Sequence, residues 1–328
     1  MTEIRISDCD HKDVEPEKEV FRQSGLEFAW LNCRTEDDVI RDCQGAKVLL
    51  NQYAPMNEKV FKNVTSLGCV VRYGVGVDNI DVDVATRYGV QICNVPDYGV
   101  NEVADHALSL MLALVRKIPF INALTKEGIW DYQNAIPIHR GKTQVVGIIG
   151  VGRIGTAFAE RVASMGYRVL GCDIEYGKPV RRFPEFVEFM DLDALLKQSD
   201  IVSIHCSLNE RTKSLLNASN LSKMKKGSYL VNVSRGGIVD EQDMLDAIGR
   251  NHLAGVAIDV ASKEPLPKGH PLLSSDKIIV TPHMAWYSEE AAIELKRKCA
   301  EEALRYFRNE PVLYPINEID TRRKGADK

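Results

Sequence analysis

Val145-Val146-Gly147-Ile148-Ile149-Gly150-Val151-Gly152-Arg153-Ile154-Gly155 is the stretch that decides the fold. The apolar run Val145 to Ile149 reads as a buried strand, and a helix-like stretch, Thr156 to Met165, follows the last glycine. Between them Gly150, Gly152 and Gly155 form a G-x-G-x-x-G loop. In that context the first glycine permits a tight turn, the second lets backbone approach a pyrophosphate, and the third allows close packing of helix on strand. Arg153 and Ile154 fall in the same cofactor-contacting loop, where a helix N-terminus faces the phosphate charge. A further strand-like segment, Arg168 to Cys172, ends at Asp173, near the distance at which an acidic side chain meets the ribose hydroxyls. An acid there points to NAD rather than NADP, whose 2'-phosphate it would repel.

The surrounding composition is that of an ordinary globular protein. Of the 328 residues 45% are hydrophobic and 27% charged, and the formal net charge is -4, which argues against general nucleic-acid binding. The cationic cluster Arg322, Arg323, Lys324 reads as a terminal tail. Eight cysteines are scattered without a CxxC pair or metal-finger spacing, and several, such as Cys69, Cys93 and Cys206, lie in apolar runs, so they read as reduced thiols and no metal is expected. The N-terminus lacks the apolar core of a secretory signal, and the apolar region Val103 to Val115 is too short to span a bilayer. The expectation is a cytoplasmic protein with no membrane partner.

From the start to about Val95, strand-like pieces (Ile4 to Ser7, Glu27 to Trp30, Ala46 to Leu50, Val70 to Tyr73, Val90 to Cys93) alternate with helix-like ones. After Gly141 a second series offers six strands: Val145 to Ile149, Arg168 to Cys172, Ile201 to His205, Ser228 to Asn232, Val256 to Asp259 and Ile278 to Thr281. The spacing predicts an α/β protein with two Rossmann-like doubly wound domains. A strongly helical stretch, Glu289 to Arg308, returns to the first domain. The nucleotide domain, 101–284, is thus an insertion in a substrate domain made of 1–100 and 285–328, with ligands expected in a cleft between the two. Asn101 to Val115 carries Ala104, Ala107, Leu108, Met111, Leu112 and Val115 at helical spacing, a face that either core or a second subunit must cover.

Several strand ends carry chemistry. Arg235, beside Gly236 and Gly237, follows the fourth strand, where its planar fork can hold a carboxylate by two hydrogen bonds; a surface arginine capping a turn is the competing reading. Asp259 closes the next strand, Glu264 lies in the loop beyond it, and His283 ends the last strand. A doubly wound sheet would gather all of them above one edge. A neutral histidine is a poor acid for a developing alkoxide, so a carboxylate partner that favours the charged ring is needed, and Glu264 is the better candidate. Asp259, nearer the sheet, is placed to accept from the nicotinamide amide. In the first domain the loop Gly74, Val75, Gly76 can present the Val75 and Gly76 amides as an anion nest, although a plain turn fits as well. Tyr98, just past Pro96, either reaches the same cleft or is an exposed turn residue.

Taken together these residues resemble the D-isomer-specific 2-hydroxyacid dehydrogenase family, from about Leu67 to Leu304. The loop Gly74 to Asp81 is similar to the family's substrate-carboxylate loop, and Asn94 to Pro96 with Asn101 to His106 to the segment entering its intersubunit helix. Arg235, Glu264 and His283 fall on its catalytic residues, and Asp259 on its nicotinamide-contacting aspartate. Within the family, the stretch His205 to Glu210 and the run Pro282 to Glu289 look most like the C-terminal binding proteins. Trp286, three residues after the histidine, is their mark and would line the substrate pocket, core packing being the alternative. The resemblance implies NAD contacts at Cys206, Val233, Ser234, Asp259, His283 and Ala285 as well as at the glycine loop and Asp173. It also implies substrate contacts at Val75, Gly76, Tyr98, Arg235 and Trp286, and a homodimer through the 101–118 helix region.

The function expected is NADH-dependent reduction of a 2-keto acid to a D-2-hydroxy acid, or the reverse, with His283 exchanging the hydroxyl proton. Because that branch includes corepressors that keep a dehydrogenase site, an NADH-sensing interaction protein is the rival from another class. A dehydrogenase of phosphorylated acids would want extra cations near the pocket, and the sequence places none there.

Overall fold

The computed structural model describes residues 2–179 and 182–319, so the cluster Arg322 to Lys324 lies outside the described residues. In chain order the elements are β1 (Ile4–Ile6), α1 (Glu15–Gln23), β2 (Phe28–Trp30), α2 (Glu36–Asp42), β3 (Val48–Asn51), α3 (Glu58–Asn63), β4 (Cys69–Arg72), α4 (Val82–Arg87) and β5 (Gln91–Cys93). The chain continues with α5 (Val100–Val115), α6 (Ile118–Lys126), β6 (Val145–Ile149), α7 (Arg153–Ser164), β7 (Arg168–Cys172), β8 (Glu188–Phe189), α8 (Leu192–Gln198), β9 (Ile201–Ile204) and α9 (Ala218–Leu221). It closes with β10 (Ser228–Asn232), α10 (Glu241–Gly249), β11 (Leu253–Ile258), β12 (Ile278–Val280) and α11 (Glu289–Phe307). These form two compact units, one of residues up to Gly99 and from Ser288 onward, the other Val100–Tyr287.

In the first unit the sheet order is β2-β1-β3-β4-β5 with every pair parallel. Its central strands β1 and β3 are buried throughout and β4 all but Arg72, as sheets covered on both faces require. Side chains start the helices: Thr35 and Asp38 form a capping box on α2, while Asn57 and Asp81 cap α3 and α4. The edge at β5 is closed by the last described segment. Asn317 Oδ1 accepts the Ile92 N–H at 2.7 Å, and the Ile316 N–H donates to the Ile92 carbonyl at 2.8 Å.

One buried acid ties α1 to β4. Glu17 is fully buried and its Oε1 accepts the Tyr73 hydroxyl at 2.8 Å. Burial pushes its carboxyl above the usual range, outweighing the Tyr73 bond and the Lys296 charge that lower it. Because the folded value is the raised one, the stability Glu17 contributes is present below the unfolded carboxylate range and is lost as pH rises through the folded value. Glu17→Gln keeps an acceptor for Tyr73, so the variant is expected to gain on the wild type between pH 5 and pH 8 in urea unfolding. An identical difference in midpoint at both pH values would show that Glu17 takes up no proton on folding.

In the second unit the order is β12-β11-β10-β9-β6-β7-β8, again all parallel. The six strands read from the sequence are joined by a seventh, β8. With two residues it is too short to show a period, and it sits at the edge, where the Arg168 guanidinium holds Glu188 at 2.6 and 2.8 Å. Strand order reverses between β6 and β9, which makes the carboxyl ends of those two strands the ligand crevice of a doubly wound sheet. Along β6, Val146 and Ile148 enter the core under α5 and α7, while Ile149 enters the one under α8 to α10.

Helix α5 answers the question of its apolar face in part. Ala104, Ala107, Leu110, Met111, Leu114 and Val115 are buried in the unit's own core, each larger side chain worth about 1.5–3 kcal/mol on burial. Leu108 and Leu112 are only partly covered. No single described helix is long and apolar enough to cross a membrane; α5 and α6 reach that composition only as a pair bent by 57°. Five of the eight cysteines are buried.

Candidate active site

The glycine loop leaves β6 and enters α7 three residues earlier than the sequence pattern indicated, at Arg153, because Gly152 is itself the helix N-cap. Gly150 adopts φ +89°, and a Cβ there would stand 2.5 Å from the Cys206 nitrogen. A Cβ on Gly155 would stand 2.1 Å from the Gly150 carbonyl oxygen, so the helix touches the loop as the third glycine of such a motif allows. This is a cradle that side chains would fill, open at a helix N-terminus for a pyrophosphate. Arg153 is exposed there and Ile154 half-buried.

Asp173, at the end of β7, accepts the Val151 N–H at 2.8 Å on one carboxylate oxygen and the Glu175 N–H at 2.8 Å on the other. The residue expected to bind ribose therefore also braces the glycine loop, which the sequence reading did not foresee. Asp173→Ala should weaken NADH binding about 10- to 100-fold, the scale of lost charge-assisted hydrogen bonds, and narrow the preference over NADPH. Fluorescence titration with both cofactors measures it, and unchanged affinities would assign the ribose to another residue.

Around the loop, burial pushes the Cys206 thiol up to about 11, so it stands as a neutral wall. Its neighbour His205 packs at a tilt against Phe158, ring centroids 4.8 Å apart, and is bonded through Nε2 to Ser203 Oγ at 2.8 Å; burial pushes it down to about 3. A ring held neutral in this way is no proton donor. Val233 is buried, and Ser234 Oγ donates to the Ile204 carbonyl at 2.9 Å, tying the end of β10 to β9.

Arg235 follows that tie, with Asn232 Nδ2 donating to its carbonyl at 2.9 Å and its own Nη1 donating to the Ser234 carbonyl at 2.8 Å. Gly236 comes next, and a Cβ on it would lie 2.0 Å from the Ala261 carbonyl carbon. Only glycine lets the loop after β10 lie against the loop after β11, and the second loop carries Glu264. Glu264 Oε1 accepts the Ala261 N–H at 2.8 Å, and Oε2 stands 2.6 Å from His283 Nδ1. Burial raises the Glu264 carboxyl, yet the His283 and Ala261 hydrogen bonds and the charges of His283 and Arg235 together hold it below the usual carboxylate range. The structure thus brings Arg235, Glu264 and His283 to one edge of the sheet, with Nε2 of the histidine as the ring nitrogen not turned to Glu264.

His283 has a left-handed backbone, φ 53°, a conformation that costs roughly 1–2 kcal/mol outside glycine. Asp259 holds it in place. The Asp259 carbonyl accepts the His283 N–H at 2.8 Å, its Oδ1 accepts the Met284 N–H at 3.0 Å, and its Oδ2 accepts the Ala285 N–H at 2.8 Å. Trp286, half-buried, meets Tyr287 edge-on at 5.6 Å.

Val75, Gly76 and Tyr98 belong to the other unit. There Asn94 Nδ2 donates to the Val75 carbonyl at 2.6 Å and the Val95 N–H donates to the Gly74 carbonyl at 3.1 Å, fixing the loop after β4. Tyr98 is mostly buried rather than an exposed turn residue, and its hydroxyl lies 3.5 Å from where a Cβ on Gly74 would be. Arg72 lies there too: its Nη1 would stand 2.1 Å from that Cβ, which places a guanidinium against the anion-nest loop. The sequence reading placed no cation at this loop, although the strand-end Arg72, two residues before Gly74, was the available signal.

Residues 108–285 match the family described as D-isomer specific 2-hydroxyacid dehydrogenase, NAD binding domain. A glyoxylate reductase of Thermofilum pendens is 37% identical over 271 residues, 81% of this chain and 78% of that protein. A D-3-phosphoglycerate dehydrogenase of Archaeoglobus fulgidus is 34% identical over 90% of this chain, which spans 56% of that protein's length. The solved structure of the TT0316 protein from Thermus thermophilus covers 96% of this chain and 99% of its own, with a TM-score of 0.85 at 27% identity.

Proposed function

Because the chain belongs to the D-isomer-specific 2-hydroxyacid dehydrogenase family, we propose that it interconverts a 2-keto acid and the matching D-2-hydroxy acid with NAD(H), His283 serving as acid and base. The observation that carries this reading is the 2.6 Å contact of His283 Nδ1 with Glu264 Oε2, beside the charge of Arg235. NAD(H), when bound at the glycine loop and Asp173, supplies or accepts the hydride. Arg235 holds the substrate carboxylate with its planar fork. In reduction His283 Nε2 gives its proton to the oxygen forming at C2, and in oxidation it takes that proton back. Glu264 stabilises the charged ring from the Nδ1 side. Trp286 bounds the space for the substrate side chain and favours an apolar one.

The test is NADH oxidation against 2-keto acids running from glyoxylate through aliphatic, aromatic and phosphorylated members. Turnover of at least one small or apolar acid is expected. NADH binding without turnover of any would favour the NADH-sensing reading instead. The proposal includes a cytoplasmic homodimer through the 101–118 helix region, its contact extending past α5 over Ile118, Trp130 and Ile136, which are 56%, 89% and 64% exposed. Trp130→Glu with Ile136→Glu should convert a dimer to a monomer in analytical ultracentrifugation, and an unchanged mass would move the contact elsewhere.

A further inference from the structure

We propose that His106, on α5, is a positioning residue for His283, acting through Thr281 and Asp259; the inference rests on the dehydrogenase reading above and deepens it. His106 Nε2 lies 3.0 Å from Thr281 Oγ1, and Thr281 Oγ1 lies 2.6 Å from Asp259 Oδ1. A threonine hydroxyl has one proton, and a carboxylate accepts only. Thr281 therefore gives its proton to Asp259 and must receive one from His106, so the proton of the histidine ring sits on Nε2. The direction of each bond in the row follows from that count.

The row matters because of what its last member holds. Asp259 is 1% exposed, and its oxygens already accept the backbone N–H groups of Met284 and Ala285. The left-handed turn at His283 is therefore shaped by the orientation of one buried carboxylate. Each backbone donor holds one oxygen of that carboxylate, and a further bond on Oδ1 tightens its orientation. The Thr281 hydroxyl, anchored from behind by His106, supplies that bond, and water has little access to replace it. A histidine merely packed on α5 would contribute stability without orienting the turn. The His106 side chain is 19% exposed and its Nε2 stands 3.6 Å from Asp259 Oδ1, so its reach toward that carboxylate passes through the Thr281 hydroxyl.

The experiment compares His106→Ala, His106→Gln, Thr281→Val and the His106→Ala/Thr281→Val double variant. In the cofactor-free protein, nitrogen NMR of the His106 ring should show the proton on Nε2. Exchange of the Met284 and Ala285 amides with solvent should quicken at least about tenfold in His106→Ala, since their acceptor loosens. With a 2-keto acid and NADH, kcat should fall about 10- to 100-fold, the usual result of a small misplacement at a reacting group, while KM for the acid stays within about twofold. Glutamine, whose amide can donate at a similar reach, should restore most of the loss. The double variant should be no slower than Thr281→Val, because both changes act on the same carboxylate. A ring proton on Nδ1 alone, multiplying losses in the double variant, or a glutamine variant as slow as alanine would overturn the assignment. Should His106→Ala fail to fold, His106→Gln and Thr281→Val carry the comparison. If the wild-type protein reduces no acid, the dehydrogenase reading falls, while the ring proton and the two amides still decide the row of hydrogen bonds.

Discussion

His283→Gln is expected to reduce NADH-dependent turnover by about 10²- to 10⁴-fold, the range removed with a general acid and base, while NADH affinity stays within about twofold. Glutamine has the reach of the imidazole but carries no dissociable proton near neutral pH. Glu264, 2.6 Å from the ring in the wild type, would remain as a carboxylate with no charge to stabilise. The substitution also meets the left-handed backbone at φ 53°. His283→Asn, which tolerates that conformation better, separates lost chemistry from lost structure. Both variants should be slow, with asparagine the more stable in thermal unfolding. Wild-type turnover in either would remove His283 from the reaction.

Gly236→Ala should cost about 100-fold in kcat, as expected for roughly 1 Å of misplacement, together with about 1–3 kcal/mol of stability from overpacking. The added methyl would lie 2.0, 2.2 and 2.4 Å from the Ala261 carbonyl carbon, the Ser262 nitrogen and the Ala261 oxygen, all of them backbone atoms. That segment has little freedom, since Ser262 donates to Glu241 Oε1 at 2.6 Å and Ala261 to Glu264 Oε1 at 2.8 Å. Relief must come by parting the loop of Arg235 from the loop of Glu264. NADH binding through the glycine loop should survive. The neighbouring Gly237→Ala meets nothing closer than Leu208 Cδ2 at 3.4 Å, so it should behave nearly as wild type. Equal effects at the two glycines would show that the close approach of the loops is not what sets Arg235 against Glu264.

How much of this was legible beforehand varied with the kind of signal. The strand, glycine loop and helix around Gly150 announced themselves because each step requires a particular residue type within a few positions. The doubly wound class followed from the regular alternation of apolar runs. Strand β8 escaped because two residues carry no period and its place is set by Arg168 and Glu188 pairing across the edge. The second task of Asp173, bracing Val151, escaped because it depends on two strands lying side by side. The row from His106 to Asp259 was equally hidden: its members lie on α5, after β11 and after β12, and only the parallel register of the sheet brings them within hydrogen-bond distance. Residues 284 and 285 gave no hint that their amides, rather than their side chains, hold the turn.

The closing of the β5 edge by Asn317 has a consequence for the order in which the protein can form. Synthesis runs from the first residue onward, and the first unit needs α11 and the Asn317 segment, which follow the whole of Val100–Tyr287. At about 5–20 residues per second, that intervening stretch takes roughly 10–40 s to make. During this time the nascent first unit exposes the Ile92 backbone and the surface that α11 will cover, and by its end the second unit has every strand it needs. The dinucleotide-binding half is thus the one able to mature first on the ribosome, and the half bearing Val75, Gly76 and Tyr98 must wait until α11 and the Asn317 segment have been made.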